Sequence, residues 1–136
     1  MIIDRVEDAK YLANTYLVAE GPGGVGVMID GNGEADPLLA RVERDGITIT
    51  HILLTHHHPD HVAEIARYRK LFPDVPILAH PVTADELEPG SVDELLEDGD
   101  VVTTGDLTFR AIDTPGHCQG HHAFMLNDAP AATTPS

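Results

Sequence analysis

Residues 55–61 read Thr-His-His-His-Pro-Asp-His and follow directly on an apolar run. That run, ITITHILL at 47–54, is too apolar for a strand with one face in water, so it predicts a strand buried on both faces, as in layered α/β folds. Side chains that follow such a strand lie at the carboxyl edge of the sheet, where open α/β folds form ligand sites. Four histidines and an aspartate at this edge therefore predict a ligand site rather than an exposed polar turn.

The spacing of these residues indicates a metal ion as the ligand. His56 and His58 are two residues apart at a strand end, so their side chains can leave the chain on the same side. Asp60 and His61 follow at the start of a predicted helix. Imidazole nitrogen suits zinc, iron or nickel, and a carboxylate adds manganese to the choice. His57 lies between two predicted ligands and is expected to point away from the metal.

The rest of the pattern places this segment in an α/β fold. Apolar periodicity and turn residues predict strands at 2–6, 14–20, 25–31, 75–80 and 122–126, a hairpin at 100–113, and helices at 37–46, 61–72 and 83–88. Gly46 is a typical helix stop, and Asp106 is expected to be a turn residue of the hairpin. Residues 91–100 are predicted to be an acidic connector. His51 is expected to be a hydrogen-bonded structural residue.

Charge and cysteine content limit the function classes. Eight basic and 23 acidic residues give a net charge of −15, which disfavours binding to nucleic acids and to anionic membranes. The single cysteine, Cys118, excludes an intrachain disulfide. The amino-terminal residues lack the pattern of a signal peptide, and no apolar run approaches the length of a membrane span. We expect a cytoplasmic protein that acts on a small molecule.

A second motif completes a family resemblance. The pattern His-x-His-x-Asp-His at 56–61 is joined by Thr-Pro-Gly-His at 114–117. Together the two motifs resemble those of the metallo-β-lactamase superfamily, over residues 2–127. The resemblance implies the amino-terminal part of an αβ/βα sandwich whose second half is largely absent. Residues 1–127 would then form an incomplete domain, and 128–136 are expected to be a disordered tail.

The resemblance also implies roles for individual residues. In that family His56, His58 and His117 would form one metal site, and Asp60 and His61 would belong to a second. Asp60 would also be catalytic, because it holds or orients the attacking water. The expected metal is zinc, as one or two ions, with iron or manganese as alternatives. Asp30 matches a position where an aspartate usually braces the metal-binding loop.

Two elements of the family pattern are not found in this sequence. A full member carries, after the Thr-Pro-Gly-His loop, a strand ending in Gly-Asp and later a further histidine. Gly105-Asp106 precedes that loop and is therefore not the expected pair, and Asp128 lacks the glycine. We expect either a fragment of a longer protein or, as the less favoured alternative, a half-domain that pairs with a second copy or with a carboxyl-terminal complement.

The motifs are most similar to those of the thioester-hydrolysing branch that includes hydroxyacylglutathione hydrolase (glyoxalase II). This similarity implies hydrolysis of a thioester or ester by a metal-activated water. The competing hypothesis is a metal-binding half-domain that is inactive or weakly active without a partner chain. Three histidines suffice to hold one metal ion, so binding without rapid turnover is consistent with the sequence.

Overall fold

The structure of the protein, a computed structural model, describes residues 1–7, 14–30, 36–55, 65–87, 90–113 and 122–126. The five predicted metal ligands and the predicted tail lie outside these residues. Within the described part of the chain, no helix is long and apolar enough to cross a membrane.

Strands β1 to β6 form one sheet in the order in which they occur along the chain. The β1–β2 and β2–β3 pairs are antiparallel, and from β3 to β6 the neighbours are parallel. The predicted hairpin of the second and third strands is confirmed, with Tyr16 opposite Ile29. The strands are β1 (Ile2–Glu7), β2 (Asn14–Ala19), β3 (Val25–Ile29), β4 (Thr48–Leu53), β5 (Ile77–Ala79) and β6 (Glu94–Leu95).

Helices connect the parallel strands, as right-handed crossovers in such sheets require. They are α1 (Asp36–Asp45), α2 (Ile65–Leu71) and α3 (Pro81–Glu86). Leu38 and Val42 of α1 and Ile65 and Tyr68 of α2 are buried in one apolar cluster with one face of the sheet. The predicted stop of the first helix is confirmed at Gly46, whose φ is 67°.

A second sheet covers the other face of the first. It consists of β7 (Val101–Thr104), β8 (Leu107–Asp113) and β9 (His122–Leu126), all antiparallel. Phe109 and Leu107 are buried between the sheets together with Leu53 and Val27. Ile52, next to Leu53, is instead buried on the helix side. The prediction that this strand is covered on both faces is therefore confirmed.

Strand β4 contains a β-bulge at its centre. Gly26 pairs with Ile49 but Val27 pairs with His51, so Thr50 is an extra residue on β4. The Thr50 hydroxyl donates to the Thr104 hydroxyl of the second sheet at 2.8 Å. Nδ1 of His51 lies 2.9 Å from the same Thr50 oxygen. His51 is thus hydrogen-bonded and half-buried, as expected from the sequence, and the bulge directs two polar side chains between the sheets.

The structure differs from the sequence predictions mainly at short elements. The predicted acidic connector at 91–100 contains β6, whose Glu94 and Leu95 pair with Leu78 and Ala79. Such a short strand has little periodicity of its own, and it forms because it extends an existing sheet edge. The helix predicted at 83–88 is found at Pro81–Glu86; proline is well suited to the first turn because it has no N–H to leave unpaired.

Candidate metal centre

The predicted ligand segment begins where two parallel strands end side by side. Ile29 at the end of β3 is paired with Leu53 at the end of β4. Beyond this pair, the Asp30 N–H donates to the Leu53 carbonyl at 2.7 Å. Asp30 and Thr55 therefore lie at the carboxyl edge of the sheet, and residues 56–64 connect this edge to α2.

Asp30 holds the residue that immediately precedes the predicted ligands. One oxygen of its carboxylate accepts from the Thr55 N–H at 2.7 Å, and the other accepts from the Thr55 hydroxyl at 2.6 Å. Asp30 is only 3% exposed, and a buried carboxylate must be hydrogen-bonded to be tolerated. These two bonds fix the backbone and the side chain of Thr55 together. They support the bracing role that the resemblance implies.

Tyr68 of α2 contacts the same aspartate from the other side. Its hydroxyl donates to the Asp30 carbonyl oxygen at 3.0 Å, and the side chain is 1% exposed. Sequence periodicity placed residue 68 on the apolar face of the helix, but it carried no information about the hydroxyl. Tyr68 is therefore a residue of this region that sequence reasoning missed.

The second predicted ligand motif starts from the same edge of the sandwich. The turn between β7 and β8 lies at the opposite edge, because the Asp106 N–H donates to the Glu20 carboxylate, near the turn between β2 and β3. Strand β8 runs away from that turn for seven residues, Leu107–Asp113, or about 23 Å. Residues 114–121, which include His117, thus leave β8 on the side where β3 and β4 end.

The two predicted ligand motifs, at 56–61 and 114–117, therefore follow strands β4 and β8 that end at the same edge of the sandwich. His56, His58, Asp60, His61 and His117 themselves lie outside the described residues, and their roles stay predictions. Within the described ranges, no group of three His, Cys, Asp or Glu side chains is placed to hold a metal.

A fully buried hydroxyl also lies near this edge. Thr15 is 0% exposed and directly precedes Tyr16, the partner of Ile29. Its Oγ1 has no hydrogen-bond partner among the described residues. No sequence signal marks it, because threonine is common in strands and its pairing depends on the tertiary environment.

A polar cleft of about 340 Å³ lies between the sheets, with His51, Glu94 and Asp100 among its lining residues. Burial lowers the pKa of His51 below its usual 6.5, and the nearby Glu94 carboxylate partly opposes this effect. The described lining residues belong to β4, β5, β6 and β7 or lie next to these strands.

Comparison with known proteins identifies the family. Residues 10–130 match the sequence model of the metallo-β-lactamase superfamily. The chain belongs to this superfamily. Hydroxyacylglutathione hydrolase of Rhodopseudomonas palustris (strain BisB5) is 36% identical over 113 residues, which are 83% of this chain and 43% of that protein. The chain thus spans less than half the length of this curated relative.

Solved structures of the superfamily have the same fold. The crystal structure of ETHE1 from Myxococcus xanthus superposes with a TM-score of 0.76 at 27% identity, covering 94% of this chain and 55% of that one. The BLEG-1 B3 metallo-β-lactamase superposes with a TM-score of 0.74 at 24% identity, covering 93% and 68%. The chain matches the amino-terminal part of the superfamily fold, which confirms the predicted fold class.

Proposed function

We propose that this chain forms the metal-binding part of a thioester or ester hydrolase similar to hydroxyacylglutathione hydrolase. The observation that carries the proposal is the pair of hydrogen bonds from Thr55 to the buried Asp30 carboxylate. Burying a carboxylate costs free energy, and here both carboxylate oxygens bind the single residue that precedes the predicted ligands. Such an arrangement is justified when the following residues must be positioned accurately, as metal ligands must be.

The donor set fits the proposed group. Four imidazoles and an aspartate are the ligand types that zinc, iron and manganese accept in proteins. His56, His58 and His117 would hold one ion, and Asp60 and His61 would contribute to a second. A bound ion supplies a Lewis acid that polarises a carbonyl oxygen and lowers the pKa of water.

The residues of the chain have separate parts in the proposed reaction. Asp60 would hold the attacking water and orient it toward the acyl carbon. Asp30 does not touch the substrate, and it acts by fixing Thr55 at the start of the ligand segment. The net charge of −15 favours a small substrate over a polyanion, and the relative's name suggests an acyl thioester of glutathione as the first substrate to assay.

Zinc binding and thioester hydrolysis test the proposal together. Zinc affinity is measured by chelator competition, and turnover by release of thiol from a hydroxyacyl-glutathione thioester. We expect His56→Ala and His58→Ala to weaken zinc binding by at least about 100-fold. His57→Ala, in the same segment, is the matched control and should bind zinc like the unmodified chain. Equal zinc affinity in His56→Ala and His57→Ala would refute the proposed metal site.

A metal-binding module without rapid turnover is the second candidate. It is favoured by the length comparison, since the chain spans 43% of the relative it matches. Native mass and zinc content, measured on the sample used for turnover, distinguish the candidates. Zinc binding without thiol release supports the module. Thiol release that falls with zinc removal supports the hydrolase.

A further inference from the structure

Both ends of the predicted ligand segment are attached to one residue. Thr55, immediately before residues 56–64, is bound by the Asp30 carboxylate. Tyr68, in the first turn of the helix that follows, donates its hydroxyl to the Asp30 carbonyl. Asp30 itself is bonded through its N–H to the Leu53 carbonyl of the adjacent strand. A single buried residue thus connects the end of β4, the end of β3 and the start of α2.

The backbone conformation of Asp30 makes this double attachment possible. Its φ is 64°, the positive value of a non-glycine residue, and such a conformation costs about 1 kcal/mol for an L-residue. It breaks the extended path of β3, and Asp30 then bonds to β4, Thr55 and Tyr68 at once. Because Asp30 is 3% exposed, removing the Tyr68 hydroxyl removes a partner of a buried carbonyl that water reaches poorly.

We propose that Tyr68 is a positioning residue for the metal ligands. Its hydroxyl fixes the start of α2 relative to Asp30, while Thr55 fixes the other end of the segment at the same residue. The described residues on either side of His56, His58, Asp60 and His61 are thus held at one residue, and this is how Tyr68 would support the ligands. The inference rests on the proposed metal site and extends it to a residue that touches neither metal nor substrate.

The test is the zinc affinity of Tyr68→Phe, which keeps the ring and removes only the hydroxyl. We expect affinity to fall about 10-fold, in line with the effect of other residues that support metal ligands. The visible spectrum of the cobalt-substituted protein should change in band position or intensity, because ligand geometry changes. Tyr16→Phe is the matched control: Tyr16 is partly buried against the other face of the sheet, and it should keep both the affinity and the spectrum of the unmodified chain.

A second variant keeps the inference testable if Tyr68→Phe unfolds. Thr55→Val removes one of the two bonds to the Asp30 carboxylate and leaves the backbone bond; it should lower zinc affinity by a similar factor. Urea unfolding of the metal-free proteins separates positioning from loss of stability, since only positioning changes the cobalt spectrum of the folded form. Unchanged zinc affinity and an unchanged cobalt spectrum in folded Tyr68→Phe would overturn the inference alone, provided that His56→Ala loses zinc. Failure of the unmodified chain to bind zinc would overturn the proposed function, and the inference with it.

Discussion

The carboxylate of Glu20 binds the backbone of Asp106, 86 residues later in the chain. Its Oε2 accepts from the Asp106 N–H at 2.7 Å, and its Oε1 accepts from the Val25 N–H at 3.2 Å. Glu20 directly follows β2 and Asp106 lies in the turn between β7 and β8, so one side chain joins the turns of the two sheets. Thr104 pairs with Leu107 on either side of the β7–β8 turn, which confirms the prediction that Asp106 is a turn residue of this hairpin.

Replacing Glu20 by Gln should destabilise the fold in a pH-dependent way. The N–H donors of Asp106 and Val25 lower the pKa of Glu20 below its usual 4.5. A carboxyl group whose pKa is lowered on folding contributes stability above its unfolded pKa, and this contribution is lost as the pH falls through the folded value. The difference in free energy of unfolding between the unmodified chain and Glu20→Gln should therefore be constant near neutral pH and decrease below 4.5.

Glu97→Gln is the control for this experiment, because Glu97 is exposed and the variant removes the same charge from a protein of net charge −15. Urea unfolding across the pH range gives the free energy of unfolding of each variant relative to the unmodified chain. If the Glu97 and Glu20 variants lose stability equally, the joining role of Glu20 is wrong.

Gly105→Ala should destabilise the chain more than Gly99→Ala. Both glycines have positive φ, 56° and 89°, so both substitutions strain the backbone, at about 1 kcal/mol each. At Gly105 the new methyl group would also collide with the Glu20 carboxylate and with a methyl group of Val25, whereas at Gly99 it meets no atom within 4 Å. The midpoints of urea unfolding measure the excess, which is the additional loss of stability in Gly105→Ala relative to Gly99→Ala. The excess should be smaller in a Glu20→Ala background, and an equal excess in both backgrounds would contradict the proposed collision.

The sequence predicts those parts of the fold that depend on local pattern. Gly46 ends a helix because positive φ suits glycine, and the apolar run through Ile52 and Leu53 indicates burial on both faces. The bulge at Thr50 and strand β6 were not predicted. They depend on where the second sheet and the edge of the first sheet lie, and a single-sequence pattern does not contain this information.

The candidate site shows the same division. His56 and His58 could be identified as ligand candidates from the sequence, because metal ligands are recognised by their residue types and their spacing. The contacts around Asp30 required the structure. Its role was implied by resemblance, and the bonds to Thr55 supply the physical reason. Tyr68 was placed correctly on the buried helix face, but whether a buried hydroxyl finds a partner is decided by tertiary packing.

Acid should destabilise the chain partly through His51. Burial lowers the pKa of this histidine below 6.5, so the folded state binds its proton less readily than the unfolded state does. The stability present above pH 6.5 is therefore lost as the pH falls toward the folded pKa. Glu94, which lines the same cleft, moderates the effect because its carboxylate favours the protonated form of His51.

His51→Asn removes this titration. Between about pH 7 and about pH 5, where an exposed histidine titrates, the variant should lose less free energy of unfolding than the unmodified chain. Urea unfolding at several pH values, with the metal removed by chelator in both samples, gives the two slopes. Parallel slopes would show that His51 does not contribute to the pH dependence.

Replacing Thr15 by Val should stabilise the chain. The Thr15 hydroxyl is fully buried, and it lacks a hydrogen-bond partner in the described part of the structure; such a group costs about 1–3 kcal/mol. Valine has nearly the same shape and no polar atom, so we expect a gain of about 1 kcal/mol in the free energy of unfolding. Thr104→Val is the matched control, because the Thr104 hydroxyl accepts from Thr50 at 2.8 Å, and it should lose about 1 kcal/mol. If Thr15→Val is instead less stable than the unmodified chain, the Thr15 hydroxyl has a hydrogen-bond partner outside the described residues, and the prediction is wrong.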